Sequence, residues 1–260
     1  MKVTSQHFKE NVKVALKQPN LRIGLDRTLG LLTSRRRETI AQYPEYAEAR
    51  ATAERIKDHT LRHLDHYLEM FEKSAISSGA KVYWARTPKE ATDHIVAICK
   101  AHDAKSATRV KSMLGEEIGI GEALQEAGIE RVETDLAEHI IQLAGEPPSH
   151  IVVPAMHKTR EEVADLFKTR HADPHKSDDV AELVESARRE LRPKYVNADI
   201  GISGANFLIA DTGSIVTVTN EGNAELTTQL PKVHIVNVGI EKLVASMRHC
   251  SVFLRLLARA

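Results

Sequence analysis

Between Tyr195 and Pro231 the chain carries no Lys or Arg, although 36 of its 260 residues are basic. A stretch that avoids cations while the rest of the chain is rich in them is built for burial rather than for solvation. Its most regular portion, ADIGISGANFLIADTGSIVTVTNEGN (198–223), holds three strand-like apolar runs separated by polar turns and ends in a glycine loop. The polar side chains gather at the turns: Asn206, Asp211, Thr212, Asn220, Glu221 and Asn223 stand beside Gly204, Gly213 and Gly222. Glycine permits positive φ and close backbone approach to a ligand, so the pattern fits well-made tight turns and equally the scaffold of a site.

A chain of this length buries about three quarters of its unfolded surface, which suits one large domain or a domain with an appended subdomain. Hydrophobic residues make up 42% and charged residues 28%, with no apolar run near the roughly 20 residues that a membrane helix needs. The expectation is a protein without membrane insertion. The N-terminus, MKVTSQHFKENVKVALKQ, mixes charge with apolar residues at helical spacing and lacks the apolar core of a secretory signal, which points to the cytoplasm. Acidic and basic residues balance at 36 each and aromatics are only 4%. Neither a basic patch nor a stacking platform is implied, so no nucleic-acid partner is expected.

Residues 1–78 read as a helical arm. Leu61, Leu64, Leu68 and Phe71 form one apolar stripe, and Gly79 is placed as a helix stop. His59, His63 and His66 lie at metal-ligating spacing but opposite that stripe, which reads as a solvated row. Leu16, Leu21, Ile23 and Leu25 supply an apolar surface that some partner must cover, and self-association into a homo-oligomer would do so.

From residue 79 to residue 260 the expectation is an α/β domain. KVYWAR, SATRVK, ERVETD and HIVVPA read as strands joined through helices, hence a mostly parallel sheet sandwiched by helices. Thr87, Pro88 and Glu90 begin one helix, and Thr159 with Glu162 forms a capping box for another. After Pro193 the connections shorten. An antiparallel ribbon is expected around the ADTGS turn (210–214), with VHIVNVG as a final strand ending at Gly239.

Ligands of open parallel sheets bind beyond the carboxyl ends of the strands. That rule selects Lys111 and Ser112, Glu133 and Asp135, and His157 and Lys158 at the ends of three expected strands, with Asn220, Glu221, Gly222 and Asn223 after a later one. Two amines, an imidazole and several carboxylates suit an anionic ligand such as a small carboxylate or phosphate. Each of these residues taken alone also fits a cap or a surface charge. The G-x-G of Gly119 and Gly121 neither follows a strand directly nor finds its third glycine, and no Walker or G-x-S-x-G motif occurs. Cys99 and Cys250 cannot build a metal site or a disulfide framework by themselves.

Taken in order, KSMLGEEI, ETDLAEHIIQLAGEPPSHIVVPAMHKTREEVADLF, ADIGISGANFLIADTGS and VTNEGNAEL closely resemble the lactate-utilisation (LUD) domain, within the lactate-utilisation protein B family of iron-sulfur proteins. The resemblance spans nearly the whole chain. It implies a fold like that of ribose-5-phosphate isomerase, glucosamine-6-phosphate deaminase and the CoA-transferases. It further implies a component of a three-part system oxidising L-lactate to pyruvate, with other lactate-utilisation subunits as partners. The 4Fe-4S clusters it implies belong to a ferredoxin-like region beyond the part matched here, so no cofactor is expected in this chain. Two cysteines do not supply four thiolates per cluster.

Three functions follow as expectations. In the first, the LUD domain binds partners or a small carboxylate within an electron-transfer and scaffold subunit. In the second, it is a stand-alone enzyme of CoA-transferase or isomerase type acting on an acyl-CoA or sugar phosphate. Glu221 is then nucleophile or general base, because a glutamate on a loop after a sheet strand carries the covalent intermediate in CoA-transferases. In the third, the glycine turns serve packing alone and the domain is a structural interaction module.

Overall fold

The computed structural model describes residues 5–150, 153–173 and 176–259. In chain order its elements are α1 (Phe8–Ala15), α2 (Pro19–Ala41), α3 (Tyr46–Arg62), α4 (Leu64–Ser77), α5 (Pro88–Ala101), β1 (Ser106–Arg109), α6 (Met113–Glu117), α7 (Ile120–Glu126), β2 (Glu130–Glu133) and α8 (Leu136–Ala144). They continue with α9 (Arg160–Arg170), α10 (Val180–Val196), β3 (Ile200–Ser203), β4 (Phe207–Ile209), β5 (Ser214–Val216), α11 (Asn223–Gln229), β6 (Val233–Val236), β7 (Leu243–Val244) and α12 (Met247–Leu257). The chain forms two compact units. One comprises Met1–Arg27, Ala85–Gly204 and Thr219–Asn237, and the other Thr28–Trp84, Ala205–Val218 and Val238–Ala260.

The first unit is a four-stranded, wholly parallel sheet in the order β2-β1-β3-β6. Strand register fixes what each face carries, because side chains alternate between faces along a strand. Ala107, Arg109, Arg131, Glu133, Ile200, Ile202, Val233 and Ile235 share one face. There Ile200 and Ile202 pack with Ile95 and Cys99 of α5 and with Ile120 and Leu124 of α7. Val132 points the other way, onto Leu191 and Tyr195 of α10. Each fully buried Leu or Ile contributes on the order of 1.5–3 kcal/mol. The α/β class and the helix-covered parallel sheet thus stand as expected, and so do the caps. Thr87 Oγ1 accepts from Glu90 N, and Thr159 with Glu162 closes a full capping box.

One expected strand does not form, and part of another lies outside the described residues. Residues 81–85 are irregular: only Val82 of KVYWAR reaches a core, while Tyr83 and Trp84 are about half exposed. Of HIVVPA, Ile151 and Val152 lie outside the described residues. Around them the chain folds back on itself, Ser149 N and Oγ both donating to Pro154 O at 3.0 Å and Val153 N to His150 Nδ1 at 3.1 Å. Two strands of the sheet come from the region after Pro193. Ile200–Ser203 sits beside β1, and Val233–Val236 pairs in parallel with it rather than antiparallel, ending three residues before Gly239.

The second unit holds the expected ribbon. β4 and β5 pair antiparallel through the ADTGS turn, and β7 adds in parallel on the other side of β4. Gly213 has φ of +66° and donates to Ile209 O at 2.9 Å, and a Cβ there would run into the backbone of Ser74 and Ala75 in α4. That glycine is required by its turn and by the helix beside it. Leu64, Leu68 and Phe71 of the predicted stripe pack with Leu208 and Leu243, whereas Leu61 stays 45% exposed because α3 ends one residue later. His59, His63 and His66 are exposed. Among the described residues no helix is long and apolar enough to cross a membrane.

Candidate functional site

In the first unit β1 connects leftward through α6 and α7 to β2, and the chain then returns to the other side of β1 to lay down β3. The connections diverge at the carboxyl ends of β1 and β3, which is where an open α/β sheet leaves a crevice. Lys111 and Ser112 lie just past β1, and Gly204 just past β3. Ser112 caps α6, accepting from Gly115 N at 3.1 Å. The amide of Asn237, oriented so that its nitrogen donates to Ser203 O at 2.9 Å, accepts from Ser112 Oγ at 3.1 Å. Gly204 is confined by the same group, since a Cβ there would lie 3.0 Å from Ser112 Oγ. Ser203 is fully buried and its hydroxyl is 2.7 Å from His234 Nε2. These contacts fix the two loops against each other.

Lys111 extends from this junction toward α8. Its Nζ is 3.9 Å from Glu138 Oε1, with the two side chains 22% and 12% exposed. Burial drives the Glu138 carboxyl up to about 7, Lys111 opposes the shift, and Glu133, Glu116 and Asp135 add to it. Asp135 caps α8, its Oδ1 accepting from Ala137 N at 3.0 Å and Glu138 N at 3.1 Å. The Gly222 loop, with φ of +79° at the glycine, returns Glu221 to the same end of α8, where Leu136 N donates to its carboxylate. Burial and the neighbouring Asp135 raise the Glu221 carboxyl, and Lys111 lowers it. Lys111, Asp135, Glu138 and Glu221 therefore form one group at the rim, and a carboxyl poised near neutrality beside an amine is suited to exchanging a proton with a bound ligand.

Beneath the rim lies a buried ionic layer. Arg109 is 1% exposed and donates through Nη1 to Glu133 Oε1 at 2.9 Å and through Nη2 to Glu116 Oε1 at 2.6 Å. Arg131 Nε approaches Glu133 at 3.5 Å. Burial pushes the Glu133 carboxyl up, and the two guanidinium groups counter it. Gly115 and Gly121 of LGEEIGIGEALQEAG serve this layer: a Cβ at Gly115 would stand 3.3 Å from Arg109 Nη2, and one at Gly121 would stand 3.0 Å from Arg109 Nη1 and run into Arg131 Nη1. These two admit a guanidinium under α6 and α7, whereas Gly119, the other glycine of the G-x-G, takes a φ of +78° ahead of α7.

The remaining expected residues fall elsewhere. His157 and Lys158 follow a turn rather than a strand and engage Glu146, at 2.9 Å through His157 Nε2 and 2.6 Å through Lys158 Nζ. Hydrogen bonds from Lys158 and then His157 hold the Glu146 carboxyl below its usual range. Both line a cleft of about 510 Å³ together with Asn20, Ile23 and Gly24. Asn206, Asp211, Thr212 and Gly213 belong to the second unit and are occupied in its ribbon. Asn206 Oδ1 accepts from Val218 N at 2.7 Å, Asp211 N donates to Ala245 O at 3.2 Å, and Thr212 Oγ1 donates to Ser214 Oγ at 2.9 Å. Asn220 is exposed, and Asn223 opens α11 behind Gly222. Neither cysteine fits a cluster ligand. Cys99 and Cys250 are both 0% exposed in apolar surroundings, and burial drives the Cys99 thiol up to about 11, far from the thiolate that iron requires.

Residues 68–260 match the family model of the LUD domain. The chain belongs to the LUD-domain family. Among curated relatives, lactate utilization protein B of Bacillus licheniformis is 42% identical over 261 residues, covering all of this chain and 54% of that protein. The protein of the same name from Lysinibacillus sphaericus is 40% identical, with all of this chain and 55% of the relative covered. That from Bacillus cereus is 37% identical, again over the whole chain and 55% of the relative. This LUD chain spans about half the length of the curated relatives it matches. The matched residues contain the whole rim group, from Lys111 to Glu221.

Proposed function

We propose that this chain is the ligand-holding part of a lactate-utilisation component, in which Lys111 pairs with the carboxylate of a small hydroxy or oxo acid at the crevice beyond β1. Its relatives are named for lactate utilization and align along its entire length, which supports the pathway. The observation that carries the binding reading is Lys111, partly buried at the point where the sheet connections diverge, with Glu138 beside it. In the whole protein the part is one of scaffold and electron transfer alongside other subunits, the electrons travelling through a region outside this chain. L-lactate or pyruvate at a hundred times its dissociation constant should stabilise the chain by about 2.7 kcal/mol, a rise in Tm of roughly 5–10 °C. Lys111→Met should remove that rise while leaving the ligand-free Tm within about 2 °C. If no small carboxylate shifts the wild-type melting temperature, the reading fails.

Glu221 supports a second reading, a CoA-transferase-like enzyme. Its carboxylate is seated by Leu136 N on a glycine loop at the same rim, and its raised affinity for a proton suits a group alternating between base and nucleophile. That reading expects Glu221→Gln to lower turnover of an acyl-CoA by at least 10³-fold, a loss of about 4 kcal/mol of transition-state stabilisation. Wild-type protein inert toward acyl-CoA donors, or a Gln variant of full activity, would dispose of it.

A further inference from the structure

Charge around Lys111 is unevenly divided between the buried layer and the rim. Arg109 and Arg131 lie against Glu116 and Glu133 and offset them within the layer. At the rim Lys111 faces Glu138 at 3.9 Å, and the fields of Asp135 and Glu221 reach the same place. A carboxylate ligand drawn to Lys111 therefore enters beside three carboxyl groups. Like charges held within a few ångströms do not all stay ionised at low cost, and the group that is least solvated takes the proton. Glu138 is that group. Its side chain is 12% exposed, it is the carboxylate paired with Lys111, and Glu133 from β2, Glu116 from α6 and Asp135 from the start of α8 all face it with the same sign. Asp135 accepts from two backbone N–H groups, and Glu221 is exposed to solvent, so Glu138 is the rim carboxyl with the least solvation.

We propose that Glu138 takes up one proton from solvent when an anion pairs with Lys111, so that the site loads a carboxylate and a proton together. The proton adds to a Glu138 carboxylate oxygen; no covalent bond breaks and no electrons move. The incoming anion shares the Lys111 ammonium, weakening the one interaction that favours ionised Glu138, and adds its own repulsion. Because burial already brings this carboxyl to about 7 in the free protein, the uptake falls in the neutral range. The sign for folding follows from the same shift. Between the ordinary carboxylate range and about 7 the folded chain holds a proton that the unfolded chain has released, so this residue's contribution to stability declines as pH rises across that window and is level above it.

The proposal rests on the small-carboxylate reading, and the test separates the two. Titration calorimetry of the full chain with L-lactate, in two buffers of different ionisation enthalpy at pH 7.5, should report roughly 0.3–0.8 proton taken up per ligand. The dissociation constant should weaken several-fold, up to about tenfold, from pH 6.5 to 8.5, well inside the limit of about tenfold per pH unit that one coupled proton allows. Glu138→Gln should bind with no measurable uptake and change affinity less than about twofold over that range. Wild-type protein that binds L-lactate, pyruvate or acetate without proton uptake overturns the coupling alone, and so does a Gln variant that keeps the wild-type uptake. Failure of all three carboxylates to bind wild-type protein overturns both readings. The proton count on wild-type protein decides the matter even if the variant does not fold.

Discussion

Gly201→Ala is expected to yield no folded protein at 37 °C. Gly201 lies in the middle of β3, opposite Thr108 of β1 and His234 of β6, on the face that α11 covers. A Cβ there would enter the van der Waals shell of the Thr227 carbonyl oxygen, lie 3.0 Å from the Thr227 carbonyl carbon and 3.3 Å from Pro231 Cγ. The obstacle is backbone of a packed helix, not the tip of a flexible side chain. Relief requires α11 to lift off β3, which also exposes Thr227, itself 0% exposed, and the core residue Ala224. Overpacking against backbone belongs to the class of substitutions costing more than about 4 kcal/mol, a large share of the 5–15 kcal/mol that holds a typical domain together. Thermal unfolding followed by circular dichroism should show Tm lowered by at least about 10 °C, or no cooperative transition. Gly30→Ala is the matched control. Gly30 is exposed within α2 with nothing within 4 Å of a Cβ, so alanine there should stabilise by about 0.5–1 kcal/mol through helix propensity alone. A soluble Gly201→Ala chain melting with the wild type would show that β3 and α11 are not packed as described.

Gly201 also illustrates what a sequence conceals. The glycines that stand out in the cation-free ribbon are Gly204, Gly213 and Gly222, flanked by Asn and Asp in recognisable turns, and Gly213 and Gly222 do take positive φ. Gly201 sits inside an apolar run and looks like a weak strand residue. Its reason is a helix that arrives later in the chain, and no local pattern announces a tertiary approach. Strands tell the same story. SATRVK and ERVETD were legible because apolar runs end in turn residues on both sides, and each forms. HIVVPA is more apolar than either, and its Ile151 and Val152 lie outside the described residues, with Ser149 bonded to Pro154 and Val153 to His150 on either side of them.

For the candidate site, the rule that ligands gather beyond strand ends found Lys111, Asp135 and Glu221, and the structure unites them. It also selected His157 and Lys158 on the strength of a strand that the described residues do not support, and these bind Glu146 instead. Glu138 carries no such mark, because it stands within a helix rather than at a strand end, three residues after the N-cap Asp135. Asp135 does cap, but the Glu138 side chain turns to Lys111 rather than back to the cap backbone. Arg109 was hidden by its place in a short apolar strand, where an arginine suggests an exposed edge. The signal that could have found it is the spacing of Gly115 and Gly121, which leave space for a large planar cation under two short helices.

Arg109→Met is expected to destabilise the first unit by about 3–5 kcal/mol, and to do so more severely at pH 8 than at pH 6. Removing one member of a buried ionic group leaves the others uncompensated, which costs more than the group contributes when intact. Here the abandoned groups are Glu133, 5% exposed and already pushed toward the neutral form by burial, and Glu116 at 32% side-chain exposure. Without its nearer guanidinium, Glu133 should hold its proton at still higher pH in the folded chain. The unfolded chain releases that proton in the ordinary carboxylate range, so the variant loses stability as pH rises until Glu133 ionises in the folded state as well. Urea titrations at pH 6 and pH 8 read the difference directly. Adding Glu133→Gln to Arg109→Met should recover at least about 1 kcal/mol at pH 8 and flatten the dependence, because a neutral amide in place of the abandoned carboxylate removes the charge that the core cannot solvate. A single variant as stable as wild type, or a double variant no better than the single, would mean that Arg109 serves packing through its aliphatic stem and that the ionic layer does not hold β1 to β2.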